Sequence, residues 1–395
     1  MAYDAIILRG RMFRWVVSGA LLLATPSAFA QEVPQTDSHS QIDHLRALAE
    51  MDAEAGAVVV ALKLIPAKGA PGDPARGMKM LRTLSDQGNL TAMVVLSAFL
   101  GDTAESNRLL LRVATSPSPS IWRAFAASSL GVNYRDGRGV TKDGDAAIKW
   151  FRAAAEAGDE RGMTFLAVAY VQGDHVPKDM TQAARWLKSA AEKGERSAIT
   201  LLAAMYRSGE GVTKDPVRAL ELFEAAAKKG SVAAAFGAAT MLLSANPPDP
   251  ARALPFVQMA AEKNDPKGMG LLGTLYRHGV EGLPKDLTQS AYWSRRSAEA
   301  NEPSAMMTMV AIFAESTGAI VTQEEGLKWL EAAAALDNVA ALRMLGHSYE
   351  NGFAPYVRDM DKALGYYRRA AARGDVESRE TLARLGTAPT SVHAP

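Results

Sequence analysis

Residues 130–158 read LGVNYRDGRGVTKDGDAAIKWFRAAAEAG, and residues 166–194 read LAVAYVQGDHVPKDMTQAARWLKSAAEKG. The two stretches have the same length and begin 36 residues apart. A fixed period of this size indicates a protein built from small units that stack on one another. Ala is the commonest residue in both copies. Because Ala is the strongest helix former, we expect each unit to be helical.

A large apolar side chain recurs at one position of the repeat, which we call the anchor position. Successive anchors are separated by 36, 36, 34, 37, 36 and 37 residues, and four of the six tryptophans occupy this position. We interpret these residues as core anchors rather than as ligand stackers. The anchors are Trp150, Trp186, Leu222, Phe256, Trp293, Trp329 and Tyr366.

Helix boundaries are marked at fixed distances from the anchors. Seven residues before each anchor, and at two positions upstream, stands an Asp or a Thr, which caps a helix by accepting a backbone N–H. The caps are Asp73, Thr103, Asp143, Asp179, Asp215, Asp249, Asp286, Thr322 and Asp359. Fifteen residues later come residues that mostly tolerate the left-handed conformation ending a helix. These helix ends are Gly88, Ser118, Gly158, Gly194, Gly230, Asn264, Asn301, Asp337 and Gly374.

Each capped helix follows another helix whose apolar residues stand four apart, such as Leu166 and Tyr170, and so share one face. A Gly-rich turn joins the two, as in residues 137–143, GRGVTKD. We reject a phosphate-binding loop there, because no strand precedes it and its Lys stands before an acidic cap. The sequence therefore predicts an all-α fold: a right-handed α-solenoid of about nine antiparallel helical hairpins with a C-terminal capping helix.

The pattern resembles the Sel-one-like repeat, a relative of the tetratricopeptide repeat. The resemblance rests on the turn Gly-x-Gly-Val-x-Lys-Asp and on Ala-x-x-Trp-Phe/Leu-x-x-Ala-Ala-Glu-x-Gly in the second helix, and it runs from about Trp122 to Gly374. We predict the following organisation: a signal peptide at 1–30, a polar linker at 31–41, degenerate N-terminal hairpins at 42–118, Sel-one-like repeats at 119–374, a capping helix at 375–386 and a disordered tail at 387–395.

The first thirty residues have the three regions of a secretory signal. Three arginines precede an apolar run at 15–24, and Ala28-Phe29-Ala30 follows. We therefore expect cleavage after Ala30 and a periplasmic or secreted protein, with no integral membrane segment left after cleavage, since no other stretch approaches about 20 apolar residues. An uncleaved anchor is the alternative, and translation from Met12 instead of Met1 stays open.

Composition narrows the range of partners. The chain has no cysteine, so it forms no disulfide. Of the 44 basic and 43 acidic residues, 41 and 42 lie beyond residue 30, a net charge of −1. Near-neutrality gives no general electrostatic reason to bind nucleic acid or anionic lipid. The six histidines show no ligand spacing, and we predict neither a metal site nor a cofactor.

A catalytic site needs one converging set of acid, base, nucleophile or metal ligands, whereas the Lys-Asp pairs of this sequence recur periodically, as helix caps do. We therefore predict a protein that is not an enzyme. The resemblance implies an adaptor of the bacterial envelope, of the kind that regulates sensor kinases, organises polysaccharide or peptidoglycan machinery, or contacts host proteins. We predict an interaction scaffold or regulator that binds a protein or peptide of the cell envelope on the concave face lined by the first helices. The alternatives are a cell-envelope enzyme, a peptidoglycan- or polysaccharide-binding protein, and a homo-oligomeric spacer.

Contacts with the partner are expected from first-helix residues beside the Leu/Tyr stripe, where the repeat does not dictate identity. We expect Arg207→Ala and Arg277→Ala to weaken partner capture without lowering the melting temperature. The candidates are Asn133, Arg135, Arg207, Arg277, His278 and His347.

Overall fold

A computed structural model describes residues 49, 55–65, 72–117 and 121–386. Within these residues it contains 19 α-helices, and an isolated bridge between Val280 and Leu283 is the nearest approach to a strand. The predicted fold class, an all-α solenoid of helical hairpins, is confirmed. The predicted signal peptide, linker and tail, and the helix end at Ser118, lie outside the described residues.

The described residues up to Ser231 form one compact unit, the N-terminal unit. Each of its ten helices packs against its neighbours in the chain, so odd-numbered and even-numbered helices are the first and second helices of hairpins. The helices are α1 (Gly56–Leu64), α2 (Pro74–Asp86), α3 (Leu90–Leu100), α4 (Ala104–Ala114), α5 (Ile121–Asp136), α6 (Gly144–Glu156), α7 (Glu160–Gln172), α8 (Met180–Glu192), α9 (Arg196–Ser208) and α10 (Pro216–Lys228).

The described residues from Val232 onward form the C-terminal unit. Its last helix has no second partner, and its buried Leu382 packs with Ala363 and Tyr367 of the preceding helix. The helices are α11 (Val232–Ser244), α12 (Pro250–Glu262), α13 (Pro266–His278), α14 (Leu287–Glu299), α15 (Pro303–Ser316), α16 (Gln323–Ala335), α17 (Val339–Asn351), α18 (Met360–Ala372) and α19 (Val376–Arg384).

All nine predicted caps of the second helices are confirmed. Asp143, for example, accepts the backbone N–H of Ala146 at 3.0 Å, and each of the other eight accepts a backbone N–H two or three residues onward. The eight predicted helix ends that are described all have positive φ, including the non-glycine residues Asn264, Asn301 and Asp337. Local hydrogen-bond chemistry therefore sets the boundaries of the hairpins.

The deepest residue of the second helix stands one position after the anchor. Trp186 is partly exposed, whereas Leu187 is fully buried, and the same relation holds between Trp150 and Phe151. Positions four, eight and eleven after the cap share one helix face, and the anchor at position seven lies on its edge. The predicted core anchors Trp150 and Trp186 therefore pack against the edge of the core, whereas Trp329 is buried within it.

Candidate binding cleft

A cleft of about 430 Å³ opens on the N-terminal unit between the first helices α3, α5 and α7, and the second helix α4 adds Ser106 and Leu110 to its lining. We call it the first-helix cleft. Its volume lies within the range of small-ligand sites in proteins. The lining residues are Ser97, Ala98, Gly101, Asp102, Ser106, Leu110, Ser128, Ser129, Val132, Asn133, Arg138, Arg161 and Phe165.

Amide side chains tie one end of the first-helix cleft together. Nδ2 of Asn133 on α5 donates to Oδ1 of Asn107 on α4 at 2.8 Å, and Nδ2 of Asn107 donates to the carbonyl oxygen of Arg138 at 2.8 Å. The three residues come from two consecutive hairpins, so the bonds cross the interface between repeats. A partly buried network in which each member has partners favours one arrangement of its helices, and it holds this wall of the cleft in place.

Serine hydroxyls form much of the polar surface of the first-helix cleft. Oγ of Ser97 donates to the carbonyl of Val94 at 2.7 Å, and Oγ of Ser128 donates to the carbonyl of Phe125 at 3.0 Å. Oγ of Ser106 donates to the carbonyl of Ser97 at 2.9 Å. Backbone carbonyls accept hydrogen bonds but do not act as general bases, so these contacts orient the hydroxyls as hydrogen-bonding groups rather than as activated nucleophiles.

Arg161, near the start of α7, supplies positive charge to the first-helix cleft. Its guanidinium lies 4.5 Å from the centroid of the Phe125 ring, and its Nη2 donates to Oγ of Ser128 at 3.4 Å. Both partners belong to α5, so the arginine crosses from one hairpin to the preceding one. The aromatic face and the helix fix the position of the guanidinium, which leaves most of its five N–H donors for a ligand.

A buried carboxyl group lies close to Arg161. Asp159 caps α7 by accepting the backbone N–H of Gly162 at 2.6 Å. Burial raises the pKa of Asp159, while the charge of Arg161 acts in the opposite direction. The carboxylate of Asp159 thus interacts with the helix N-terminus and with the hydroxyl of Ser128, and it acts on Arg161 through space.

Apolar side chains form the remaining wall. Phe165 on α7 is 4% exposed and packs against Phe151 with ring centroids 4.9 Å apart. Val132 and Leu110 are also buried lining residues. The cleft thus offers an apolar wall, several hydroxyls and a positioned guanidinium, the mixture that recognises a short chain with both polar and apolar groups.

The structure brings two of the six sequence-predicted contact residues near the first-helix cleft. Asn133 lines it, but its amide is already bonded within the network. Arg135 forms an ion pair with its neighbour Asp136 at 2.7 Å and lies 5.2 Å from the centroid of the Phe165 ring, behind the wall. Hydrogen bonds from the Arg135 side chain, together with its positive charge, lower the pKa of the Asp136 carboxyl.

The other four candidates lie elsewhere. Arg207 on α9 lies 5.6 Å from the centroid of the Phe223 ring, and burial lowers the pKa of its guanidinium. Three candidates belong to the C-terminal unit, where Arg277 pairs with Glu315 at 2.6 Å and the exposed His347 lies 5.8 Å from Phe353, between ring centroids. His278 is exposed at the end of α13. Of the six candidates, Asn133 thus lines the first-helix cleft, Arg135 lies behind its wall, and the other four belong to other hairpins.

Sequence reasoning missed Arg161 and the serines of α5. One signal was available at Asn133, whose repeat position holds buried apolar residues, Met205 and Leu275, in other hairpins. A polar residue at an apolar repeat position indicates a local departure from the common packing.

In residues 49, 55–65, 72–117 and 121–386, no group of three or more His, Asp or Glu side chains is arranged to hold a metal ion. None of the described helices is long and apolar enough to span a bilayer.

The stacked hairpins define the chain as an all-α repeat protein with a cleft on its first helices. The chain belongs to the Sel1 repeat family, whose model matches residues 124–159, 161–195, 196–231, 266–302, 307–338 and 339–375. The hairpin of α11 and α12, which lacks the Gly-Val-x-Lys-Asp turn, falls between two matches.

Two solved structures are similar to this chain over most of its length. Protein c5321, described as a protective antigen of uropathogenic Escherichia coli with an SLR fold, has 25% identity and a TM-score of 0.70, covering 96% of this chain and 84% of its own. A Sel1 repeat protein from Oxalobacter formigenes has 26% identity and a TM-score of 0.56, covering 85% of this chain and 94% of its own.

A curated relative is similar over a shorter region. The chitin synthase regulator SKT5 of Saccharomyces cerevisiae is 31% identical over 135 residues, which is 32% of this chain. The chain spans about a fifth of the length of this relative, as the matched region is 19% of SKT5.

Proposed function

We propose that this protein is an interaction scaffold or regulator that binds a short segment of a protein partner in the first-helix cleft. The observation that carries the proposal is the lining of the cleft, in which Arg161, serine hydroxyls and Phe165 face the same space between three first helices. Rigid helices hold these groups, so binding costs little ordering of the scaffold. Sel1 repeat proteins generally mediate protein–protein interactions, and the matched relative SKT5 is named as a regulator.

We also propose that the protein works outside the cytoplasm. Support comes from the sequence alone: the arginines, the apolar run at 15–24 and the Ala28-Phe29-Ala30 site have the order of a secretory signal. Cell fractionation followed by N-terminal sequencing tests this, and a mature chain that begins at Gln31 is the expected result. A chain that keeps its first thirty residues and stays in the cytoplasm would refute export.

Site-specific photocrosslinking tests the binding proposal. A photoreactive amino acid replaces Ser129, which lines the cleft on α5, and in a matched variant it replaces Lys149, which is exposed on the second helix of the same hairpin. Cells of the natural host are irradiated, and adducts are identified by mass spectrometry. We expect the same protein partner to be crosslinked repeatedly from Ser129 and not from Lys149.

A competition experiment tests whether crosslinking from Ser129 occurs at a saturable site. The captured partner is purified, and an excess of it is added before irradiation of the purified scaffold with labelled partner. Loss of the Ser129 adduct supports a saturable site in the cleft. Equal crosslinking from both positions, or an adduct only from Lys149, would refute the cleft as the binding surface.

A further inference from the structure

The guanidinium of Arg161 carries a charge that no carboxylate contacts. Among the described residues no Asp or Glu forms an ion pair with it, and its contacts are the Phe125 ring at 4.5 Å and Oγ of Ser128 at 3.4 Å. The side chain is also partly buried. A partly desolvated guanidinium gains more from an anionic acceptor than an exposed one does, because neutral partners replace its lost hydration only in part.

Arginines of the C-terminal unit that link consecutive hairpins show the contrasting arrangement. Arg295 donates to both carboxylate oxygens of Glu325, at 2.7 and 2.9 Å. Arg277 pairs with Glu315, one hairpin onward, at 2.6 Å. These arginines contact a carboxylate directly, whereas Arg161, which links α7 to α5, contacts a ring and a hydroxyl and meets the charge of Asp159 only through space.

The other charges at the first-helix cleft limit where an anion fits. Arg138 already shares Asp136 with Arg135, at 3.0 Å from Nη2 of Arg138 to Oδ2 of Asp136. Asp102 is exposed at the α3–α4 connection and disfavours a second negative charge near it. Asp159 acts on Arg161 through space without an ion pair, so the N–H donors of the guanidinium stay available to one acidic group.

The groups beside Arg161 indicate which side chains should flank the acidic residue in a bound segment. The hydroxyls of Ser128 and Ser129 both donate to the carbonyl of Phe125, so their oxygens can accept N–H groups of a peptide backbone. Phe165 and Val132 offer an apolar wall. A volume of about 430 Å³ holds a few residues of extended chain. The lining thus fits an Asp or Glu next to a small apolar side chain.

We infer that the first-helix cleft selects partner segments that carry an Asp or Glu beside a small apolar residue, and that Arg161 binds the carboxylate. This inference rests on the proposed function, because it names the chemistry of the segment that the scaffold holds. Arg161 acts here as the specificity-determining residue.

A random dodecapeptide library displayed on phage tests the inference. The full chain is the bait, enriched sequences are synthesised, and their dissociation constants are measured together with those of versions in which Asp becomes Asn or Glu becomes Gln. We expect enrichment of acidic residues, and a loss of affinity of about 10- to 100-fold when the acid becomes an amide, the usual range for a hydrogen bond to a charged group.

Two variants of the protein complete the test. Arg161→Gln should weaken the acidic peptides to the same extent and should not weaken their amide versions further. Arg152→Gln, which removes an equal charge from an exposed position on α6, should leave the affinity unchanged. If Arg161→Gln does not fold, the acid-to-amide comparison on the unaltered chain decides alone.

The outcomes separate the inference from the proposed function. Peptides that bind without an acidic preference, peptides whose acid is insensitive to Arg161→Gln, or a library that enriches nothing would each overturn the inference. The photocrosslinking at Ser129 is independent of these results. A partner captured there without acidic selectivity would leave the scaffold function standing.

Discussion

Arg161 places its guanidinium 4.5 Å from the centroid of the Phe125 ring, and the two residues occupy the same position of consecutive repeats, 36 residues apart. The contact therefore forms between equivalent points of neighbouring first helices. In a stack of similar hairpins, such positions face each other at every interface. One interface becomes a candidate binding site because an arginine and an aromatic ring stand at that position in two successive copies.

The Asn107–Asn133 hydrogen bond predicts energetic coupling between two hairpins. Asn133→Ala leaves Oδ1 of Asn107 without its donor in a partly buried site, and we expect the free energy of unfolding to fall by about 1–3 kcal/mol. Chemical denaturation of both single variants and the double variant measures the coupling. Effects that add, with no coupling above about 0.5 kcal/mol, would show that the bond is not formed.

The position of the core residue predicts the order of two substitutions. Leu187→Ala should lower the free energy of unfolding by about 2–5 kcal/mol, because the side chain is fully buried. Trp186→Ala should lie at or below the lower end of that range, since the indole is partly exposed. Urea denaturation of both variants compares them. A clearly larger loss in the free energy of unfolding for Trp186→Ala than for Leu187→Ala would show that Trp186 contributes more to the core than Leu187 does.

The second glycine of the turn predicts a close approach between hairpins. Gly211 has φ +72°, and a Cβ there would lie against the backbone of Met180 at the start of α8, so we expect Gly211→Ala to cost about 2–4 kcal/mol. Gly230→Ala is the matched control, with φ +87° and an ordinary contact at 3.7 Å from the Arg196 guanidinium, and should cost about 1 kcal/mol. If the two substitutions destabilise the protein equally in thermal unfolding, the positive φ alone accounts for the loss and the close approach to Met180 contributes nothing.

In the preceding repeat, the glycine stands on the opposite side of the same contact between hairpins. His175 occupies the position of Gly211 in the preceding repeat and adopts φ 55°. Its partner at the start of the previous second helix is Gly144, where a Cβ would lie 2.0 Å from Nε2 of His175. A side chain is therefore accommodated on one side of this contact when the other side has none.

Acid should weaken the interface that Arg295 and Glu325 form in the C-terminal unit. Hydrogen bonds from Arg295 lower the pKa of Glu325 in the folded state. The pair therefore stabilises the fold above the unfolded pKa of the carboxyl, about 4.3, and this contribution is lost as the pH falls through the lower folded value. Hydrogen exchange of α14 and α16 from pH 7 to pH 3 follows the loss.

The control for the acid effect is Glu325→Gln. It should lower the stability of these helices at pH 7 by up to about 1 kcal/mol and should reduce the dependence on pH in the acidic range. A variant with the same pH dependence as the unaltered chain would contradict the role of Glu325.

From the sequence, Arg207→Ala and Arg277→Ala are both expected to weaken binding without lowering the melting temperature. The structure predicts different effects of the two substitutions on stability. Arg277 pairs with Glu315, so Arg277→Ala should lower the melting temperature slightly, in contrast to the sequence-based expectation. Among the residues that the structure describes, none forms an ion pair with Arg207, and its guanidinium lies 5.6 Å from the centroid of the Phe223 ring. Differential scanning calorimetry of the two variants distinguishes these roles. Unchanged melting of Arg277→Ala would show that its ion pair contributes nothing.

The sequence predicts the hairpins well because their boundaries depend on local chemistry. An Asp cap and a left-handed Gly act within one turn of chain, so cap residues such as Asp143 and ends such as Gly158 are readable at fixed spacing. The cleft is different, because Arg161 meets Phe125 only after two hairpins stack. Read in isolation, an arginine in the first turn of a helix is a solvated side chain, and nothing nearby in sequence marks its partner.

Hydrogen–deuterium exchange of the full chain with its crosslinked partner, or with an enriched acidic peptide, tests the central claim most directly. We predict slower exchange in α5 and α7, around Ser128 and Arg161, with α6 and α8 unchanged. Protection confined to the second helices or to the C-terminal unit would contradict a binding site in the first-helix cleft.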